Sequence, residues 1–192
     1  MGRLVVTEFL SVDGVYEDPG GADGTENGGW TFRFDRGEEG NRFKLDELMA
    51  ADAQLLGRTT YEGFARAWPA MQGTGAFGEK MNAIPKYVVS ATLREATWAS
   101  TTIIREGVPE EVRRLKARYG GDVLVAGSGQ LVRALMADGL VDEIRLMIFP
   151  VVLGRGKRLF EAAPMTTLRL AEVKPVGPDG VIVARYSRAV AS

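Results

Sequence analysis

The sequence contains neither cysteine nor histidine among its 192 residues. Without cysteine there can be no disulfide, thiolate nucleophile or thiolate metal site, and without histidine there is no Ser-His-Asp triad and no imidazole-bound zinc. A carboxylate-only magnesium site stays open, but no group of aspartates follows the pattern of a calcium-binding loop, and we predict no metal. Chemistry must therefore use Asp, Glu, Lys, Tyr, water or a bound cofactor that carries the reactive group.

The sequence also lacks a strong charge bias and a long apolar run. Its formal net charge is -1 and its hydrophobic content 45%, without the basic excess that is typical of nucleic-acid-binding proteins. No segment is apolar enough to span a bilayer, and the N-terminus enters a strand pattern without the features of a signal peptide. We predict one domain over residues 1–192, located in the cytoplasm, whose partners are a small-molecule substrate and a second copy of the chain.

The stretch 123–135 predicts a buried strand, a glycine turn and a helix. Small or branched apolar residues suit a strand covered on both faces, and apolar residues then recur at helical spacing. The turn Gly127-Ser128-Gly129 leaves the backbone bare, and the first amides of the next helix are free donors. This combination binds phosphate, although a strand that merely turns sharply gives the same pattern. The full dinucleotide fingerprint is absent, because Val132 occupies the place of its third glycine.

A second strand-to-helix turn follows the predicted strand 53–56. Gly57 permits close approach of a ligand, Arg58 offers a planar fork of donors, and Thr59 and Thr60 add hydroxyls beside free helix amides. Taken alone, this turn is more simply a capped helix with a solvated arginine. Two such turns in one sheet favour a dinucleotide, which has two phosphate-bearing ends to hold.

The rest of the chain predicts helices alternating with strands, followed by an antiparallel hairpin. We therefore predict an α/β fold with a mixed, mostly parallel sheet, helices on both faces and a C-terminal antiparallel hairpin. The predicted strands are 3–12, 53–56, 86–90, 98–104, 123–126, 142–150, 167–175 and 181–188, and the predicted helices include 38–50, 61–68, 77–83 and 109–119.

Three loops are candidates for contact with a ligand. Residues 15–35 are irregular yet carry four aromatic side chains, which is typical of a functional flap and argues against a disordered insertion. Ser90 and Thr92 offer hydroxyls at a strand end, where open α/β sheets bind ligands. The basic loop 154–158 could reach a phosphate, but a solvated turn is the commoner outcome.

With these motifs in order, the chain resembles the dihydrofolate reductase superfamily, and in particular the branch that contains the RibD C-terminal domain, the reductase domain of the bacterial riboflavin pathway. The resemblance spans nearly the whole length. It rests on Ser11-Val12-Asp13-Gly14, Leu56-Gly57-Arg58-Thr59-Thr60-Tyr61-Glu62, Val88-Val89-Ser90, Ala126-Gly127-Ser128-Gly129 and Pro150-Val151-Val152-Leu153-Gly154-x-Gly156.

The resemblance implies a dihydrofolate-reductase-like fold and NADPH as cofactor. It places Arg58, Thr59 and Ser90 near the adenosine phosphates, the turn 127–129 at the pyrophosphate, and the nicotinamide near the end of the first strand and the loop containing Trp30. The full predicted cofactor site is Gly57, Arg58, Thr59, Thr60, Ser90, Thr92, Gly127, Ser128, Gly129, Gln130 and Leu131.

The substrate side departs from the folate enzymes. The acidic residue that holds the pteridine there falls on Asn41 here, and Met147 stands where those enzymes carry a supporting threonine. We therefore predict an NADPH-dependent reductase that transfers hydride to a C=N or C=O bond of a small, heterocyclic compound. Asp13, Trp30 and Asn41 are the candidate catalytic residues, with water or Asp13 as the proton source.

Three other functions stay open. They are reduction of the 5-amino-6-ribosylaminouracil phosphate of riboflavin synthesis, folate reduction, and nucleotide binding by a dimer without chemistry. A homodimer is predicted because the apolar run 149–153 and the hairpin residues Leu168, Leu170, Val181 and Val183 lie near an expected sheet edge. The simpler interpretation is that these residues fill the core of the monomer.

Overall fold

The computed structural model describes residues 1–163 and 165–189. Its strands are β1 Arg3–Ser11, β2 Ala51–Gly57, β3 Lys86–Val89, β4 Thr101–Ile104, β5 Asp122–Val125, β6 Glu143–Phe149, β7 Leu168–Val176 and β8 Val181–Arg188. Its α-helices are α1 Gly37–Met49, α2 Arg58–Ala67, α3 Gly75–Ala83, α4 Val108–Arg118 and α5 Gly129–Ala137.

All eight strands join one sheet in the order β4-β3-β2-β5-β1-β6-β8-β7. The strands from β4 to β6 are parallel, and the last two, β8 and β7, are antiparallel. The predicted fold class is therefore confirmed, including the C-terminal hairpin. The carboxyl ends of the parallel strands meet at one edge, called the carboxyl edge below, where open α/β sheets bind ligands.

The strands differ in length at this edge. The pairing of β1 with β5 ends at Val6 and Val125, whereas β1 continues beside β6 as far as Ser11. Residues of β1 beyond Val6 therefore have no strand partner on the β5 side. The glycine turn that follows β5 lies next to this unpaired part of β1.

Helices cover both faces of the sheet, because side chains along a strand alternate between its faces. Leu4 and Val6 of β1 pack with α4 and α5, while Val5 packs with α1, α2 and α3. No helix in the described part of the chain is both long and apolar enough to cross a membrane.

The loop between β1 and α1 is packed on the sheet through an aromatic cluster. Trp30 begins a short 3₁₀ helix, is fully buried, and meets Phe149 edge to face with ring centroids 5.4 Å apart. The Nε1 of Trp30 donates a hydrogen bond of 2.9 Å to the carbonyl of Glu17. The aromatic residues that argued against a disordered insertion are thus among those that hold this loop in place.

A buried ionic network lies on the α1 face of β1 and β6. Arg145 donates hydrogen bonds to Asp122 at 2.9 Å and to Glu143 at 2.7 Å, and its guanidinium lies 3.9 Å from Glu47. The side chains of all four residues are 10% exposed or less. Arg145 thus lies at the centre of three carboxylates that have little access to water, and Arg3, Arg185 and Lys44 pair with them from the edge of the network.

Candidate functional site

Two helices begin side by side at the carboxyl edge. The helix α2 follows β2 and α5 follows β5, and these strands are neighbours. Neither N-cap residue, Gly57 or Ser128, forms a side-chain capping hydrogen bond. The two turns touch, since the Gly57 N–H donates to the Gly127 carbonyl at 3.2 Å and a Cβ on Gly57 would collide with the Ser128 hydroxyl. Free helix amides and two positive dipole ends thus face one small region, which suits an anion.

Neighbouring atoms leave no room for a side chain at either glycine of the second turn. Gly127 has a φ of 77°, and a Cβ there would lie 2.7 Å from the Thr60 hydroxyl oxygen. A Cβ on Gly129 would lie 2.7 Å from the ring of Tyr16, whose hydroxyl accepts a hydrogen bond from the Gly129 N–H. The Tyr16 oxygen thus occupies one of the donors that a phosphate oxygen would use. The amides of this turn suit a phosphate, which would have to replace the Tyr16 hydroxyl at the Gly129 N–H.

Arg58 lies at the rim of the same region. Its Nη1 donates to the Thr92 hydroxyl at 2.6 Å and its Nε to Glu62 at 2.8 Å. The Ser90 hydroxyl accepts the N–H groups of Thr92 and Leu93. The structure therefore brings together Arg58 and the loop after β3, as the resemblance implies.

The side chains of three further predicted cofactor residues differ in their exposure. Thr59 and Gln130 lie on the surface, whereas the Leu131 side chain is buried with α5 against the sheet. A ligand at this helix end can therefore contact only the backbone of Leu131. A cofactor contact at Leu131 stays a prediction and concerns its backbone.

Asp13 is unsuited to the predicted role of proton source. Burial would raise the pKa of its carboxyl, but hydrogen bonds from the Ser11 hydroxyl and the N–H groups of Leu153 and Gly154 outweigh it and lower the pKa to about 2. Arg158 adds an ion pair at 3.3 Å. The carboxylate is thus ionised near neutral pH and fastens the basic loop 154–158 to the end of β1.

The other two candidate catalytic residues do not join Asp13 in one group. Trp30 is fully buried, so its side chain reaches no ligand in this conformation and instead anchors the loop. Asn41 is exposed on α1, and its side-chain oxygen accepts a hydrogen bond of 2.7 Å from Arg36. Asn41 is the most exposed of the three.

Two cations lie near Asn41 and above the ring of Phe9 in β1. The Arg36 guanidinium is 5.5 Å and the Lys44 ammonium 5.0 Å from the centre of that ring. Arg36 also lies 3.9 Å from the sulfur of Met147. The place of the acid in folate reductases is therefore taken here by an amide beside the Arg36 guanidinium, while Lys44 is paired with Glu47.

Sequence reasoning missed Glu8, the acidic residue of β1. Burial raises the pKa of its carboxyl to about 8, against the lowering effects of the Lys44 ammonium and the Gly127 N–H. Its Oε1 atom is buried and has no hydrogen-bond partner in the described part of the chain. The signal was present, because a glutamate interrupts the otherwise apolar strand pattern between Val6 and Leu10.

The sequence matches a known protein family over nearly its whole length. The model of the RibD C-terminal domain family matches residues 3–182. The chain belongs to the RibD C-terminal domain family. This confirms the resemblance predicted from the motifs.

Curated relatives of this RibD-type domain come from Bacillus subtilis strain 168. The chain is 31% identical to the uncharacterized protein YwjB over 177 residues, which is 91% of this chain and 92% of YwjB. It is 35% identical to the uncharacterized protein YyaP over 118 residues, which is 60% of this chain and 62% of YyaP. The second match thus spans less than two thirds of that relative.

Solved structures share the fold of this RibD-type domain. A proposed riboflavin biosynthesis protein from Shewanella sp. PV-4 superposes with a TM-score of 0.77 at 18% identity, covering 98% of this chain and 99% of that one. The dihydrofolate reductase of Enterococcus faecalis complexed with NADP(H) gives a TM-score of 0.62 at 14% identity and covers 97% and 96%. At these identities the likeness establishes the fold alone.

Proposed function

We propose that this RibD-type domain is an NADPH-dependent reductase that transfers hydride to a C=N or C=O bond of a small heterocyclic compound. The observation that carries the proposal is the pair of uncapped helix N-termini of α2 and α5, which meet at neighbouring strand ends with Arg58 at their rim. Family membership supports it, as does the shared fold with a reductase whose structure holds NADP(H).

The dinucleotide, when bound, would supply the hydride. The chain's own part is to hold the phosphates and to exclude water. The amides of α2 and α5 and the guanidinium of Arg58 would bind the phosphates, in the place of the Tyr16 hydroxyl at Gly129. The loop anchored by Trp30 would cover the site next to the end of β1.

The charges near α1 bear on the substrate class. Lys44 is already paired with Glu47, but the Arg36 guanidinium above Phe9 would oppose a protonated pteridine, so folate reduction is disfavoured. The same guanidinium would attract an anionic group, which favours the phosphate-bearing pyrimidine of riboflavin synthesis as a second candidate. NADPH oxidation across a panel of heterocyclic substrates, with and without phosphate groups, would separate these candidates from a binding protein without chemistry.

Replacement of Arg58 by alanine is expected to remove most of the preference for NADPH over NADH. Loss of a charge-assisted contact to the 2′-phosphate corresponds to about 1.5–3 kcal/mol, or roughly 10- to 150-fold in affinity. Fluorescence titration with NADPH and with NADH measures this preference in the wild type and the variant. Arg113→Ala, which removes an exposed arginine of α4, is the control and is expected to bind like the wild type. Equal wild-type affinities for NADPH and NADH would contradict the assignment of Arg58.

We also propose a homodimer, with a smaller contact surface than the sequence indicates. Phe149, Val181 and Val183 are fully buried within the monomer, which leaves Val152 at 69% exposure and Leu170 at 51%. A symmetric pair formed around these residues and the outer strand β7 would bury about 1,200–2,000 Å².

Val152→Asp is expected to shift such a dimer towards the monomer, because it places a charge in an apolar contact. Sedimentation across a concentration series measures the shift. Met71→Asp changes an exposed apolar residue between α2 and α3 and serves as the control. A wild-type protein that is monomeric at every concentration would rule out the dimer.

A further inference from the structure

Glu8 brings a carboxyl group to the turn that the proposed cofactor would occupy. Because β5 ends beside Val6, Glu8 lies in the part of β1 that has no partner on that side. Its Oε1 atom is 3.5 Å from the position that a Cβ on Gly127 would take. This oxygen is buried and makes no hydrogen bond of normal geometry among residues 1–163 and 165–189, although the Gly127 N–H is close enough to lower the pKa of the carboxyl. An unpaired buried oxygen next to a bare glycine turn is the arrangement expected where a ligand supplies the missing partner.

The groups that face Glu8 do not compensate an ionised carboxylate. From α1 the Lys44 ammonium acts on it, but that ammonium already donates to the Thr7 hydroxyl at 2.7 Å and pairs with Glu47. From α2 the Thr60 hydroxyl approaches Gly127 and carries no charge. Burial outweighs this single shared cation and the Gly127 N–H, which also lowers the pKa, so the Glu8 carboxyl holds its proton near neutral pH.

The remaining titratable neighbour is Tyr16 from the loop after β1. Burial raises the pKa of its phenol, and Glu8 adds to this effect, while Arg133 of α5 and Lys157 act in the opposite direction. Tyr16 is therefore neutral through the range in which Glu8 ionises. A change in site charge just above neutral pH is assigned to Glu8 alone.

We propose that Glu8 is a neutral hydrogen-bond donor to the bound dinucleotide, and that its ionisation weakens cofactor binding. The proposal rests on the proposed function. A protonated carboxyl can donate one hydrogen bond, and a dinucleotide carries many acceptor oxygens that could receive it from the buried Oε1 atom. After ionisation the same atom becomes an anion next to the phosphates, so that attraction is replaced by repulsion.

The first measurement is the affinity for NADPH between pH 6 and pH 10. The wild-type dissociation constant is expected to be constant at the acid end and to rise about tenfold per pH unit above pH 8, because only the protonated form binds well. Glu8→Gln keeps a donor and cannot ionise, so its affinity is expected to stay constant over the same range. Glu110→Gln, on the exposed face of α4, is the control and should follow the wild type.

The second measurement needs no cofactor. Because the pKa of Glu8 is raised in the folded protein, the folded state binds the extra proton between the ordinary value of 4.5 and about 8. The folding equilibrium constant of the wild type, relative to Glu8→Gln, is therefore expected to fall about tenfold per pH unit across that window and to level off above it. Comparison with the variant cancels the ionisation of other groups, such as the buried Lys86.

The outcomes separate this inference from the proposed function. The role of Glu8 is supported if the wild type, but not Glu8→Gln, loses NADPH affinity above pH 8. It also requires that the stability of the wild type relative to Glu8→Gln falls between pH 4.5 and about 8. If NADPH binds and both proteins show the same pH profile, the role of Glu8 is overturned while the reductase proposal stands. A difference in stability between the wild type and Glu8→Gln that does not change between pH 4.5 and 8 would also overturn the role of Glu8. If the wild type binds NADPH at no pH, both proposals fall.

Discussion

Replacement of Arg145 by methionine is expected to lower the free energy of unfolding by about 3–5 kcal/mol, because it breaks a buried ion pair from one side. Asp122, Glu143 and Glu47 would keep their positions but lose the guanidinium that lies within 2.9, 2.7 and 3.9 Å of them. Other cations would compensate the three carboxylates only in part. Arg3 and Arg185, at 51% and 33% side-chain exposure, pair with Asp122 and Glu143, and Lys44 pairs with Glu47. Urea unfolding measures the effect.

The pH dependence of the same variant provides an independent check. Burial would raise the pKa of Glu143, but hydrogen bonds from Arg145 and Arg185 outweigh it and lower the pKa. A carboxyl with a depressed pKa contributes stability above its ordinary value and loses it as the pH falls through the folded value. The wild type is thus expected to lose more stability than Arg145→Met on acidification below about pH 4.5.

The control for this experiment is Arg113→Met on α4. That arginine forms an exposed i,i+3 pair with Glu110, and such pairs contribute roughly 0.3–0.5 kcal/mol. If Arg145→Met costs no more than the control, the network does not stabilise the fold. If the difference in unfolding free energy between the wild type and Arg145→Met stays the same at low pH, the packing of the Arg145 side chain, and not its charge, stabilises the fold.

The features of the site that were predictable are local in sequence. The two glycine turns at Gly57 and Gly127 follow from a change of period, from strand spacing to helix spacing, within about ten residues. Their proximity followed from a further rule, since the carboxyl ends of parallel strands share one edge. The order and spacing of several such motifs then sufficed to predict the family and the fold.

The features that were not predictable depend on residues far apart in the chain. Asp13 was a candidate proton donor, but the N–H groups that keep it ionised come from Leu153 and Gly154, about 140 positions away. The burial of Glu8 depends on where β5 ends relative to β1, which no local pattern specifies. Electrostatic roles at this site therefore require the tertiary structure, even where the residues themselves stand out in the sequence.

Replacement of Trp30 by alanine is expected to cost about 3–5 kcal/mol in the free energy of unfolding, the usual range for removal of a buried large aromatic side chain. Trp30 is fully buried, packs edge to face on Phe149, and donates to the Glu17 carbonyl at 2.9 Å. Phe32→Ala, in the same loop, removes a ring that is 80% exposed and is the matched control, with an expected change within about 0.5 kcal/mol. Urea unfolding followed by far-UV circular dichroism compares the two.

The stability of Trp30→Phe should lie between those of the two alanine variants, because the ring contact is kept in part and the hydrogen bond is lost. Equal stabilities for Trp30→Ala and Phe32→Ala would contradict the anchoring role of Trp30.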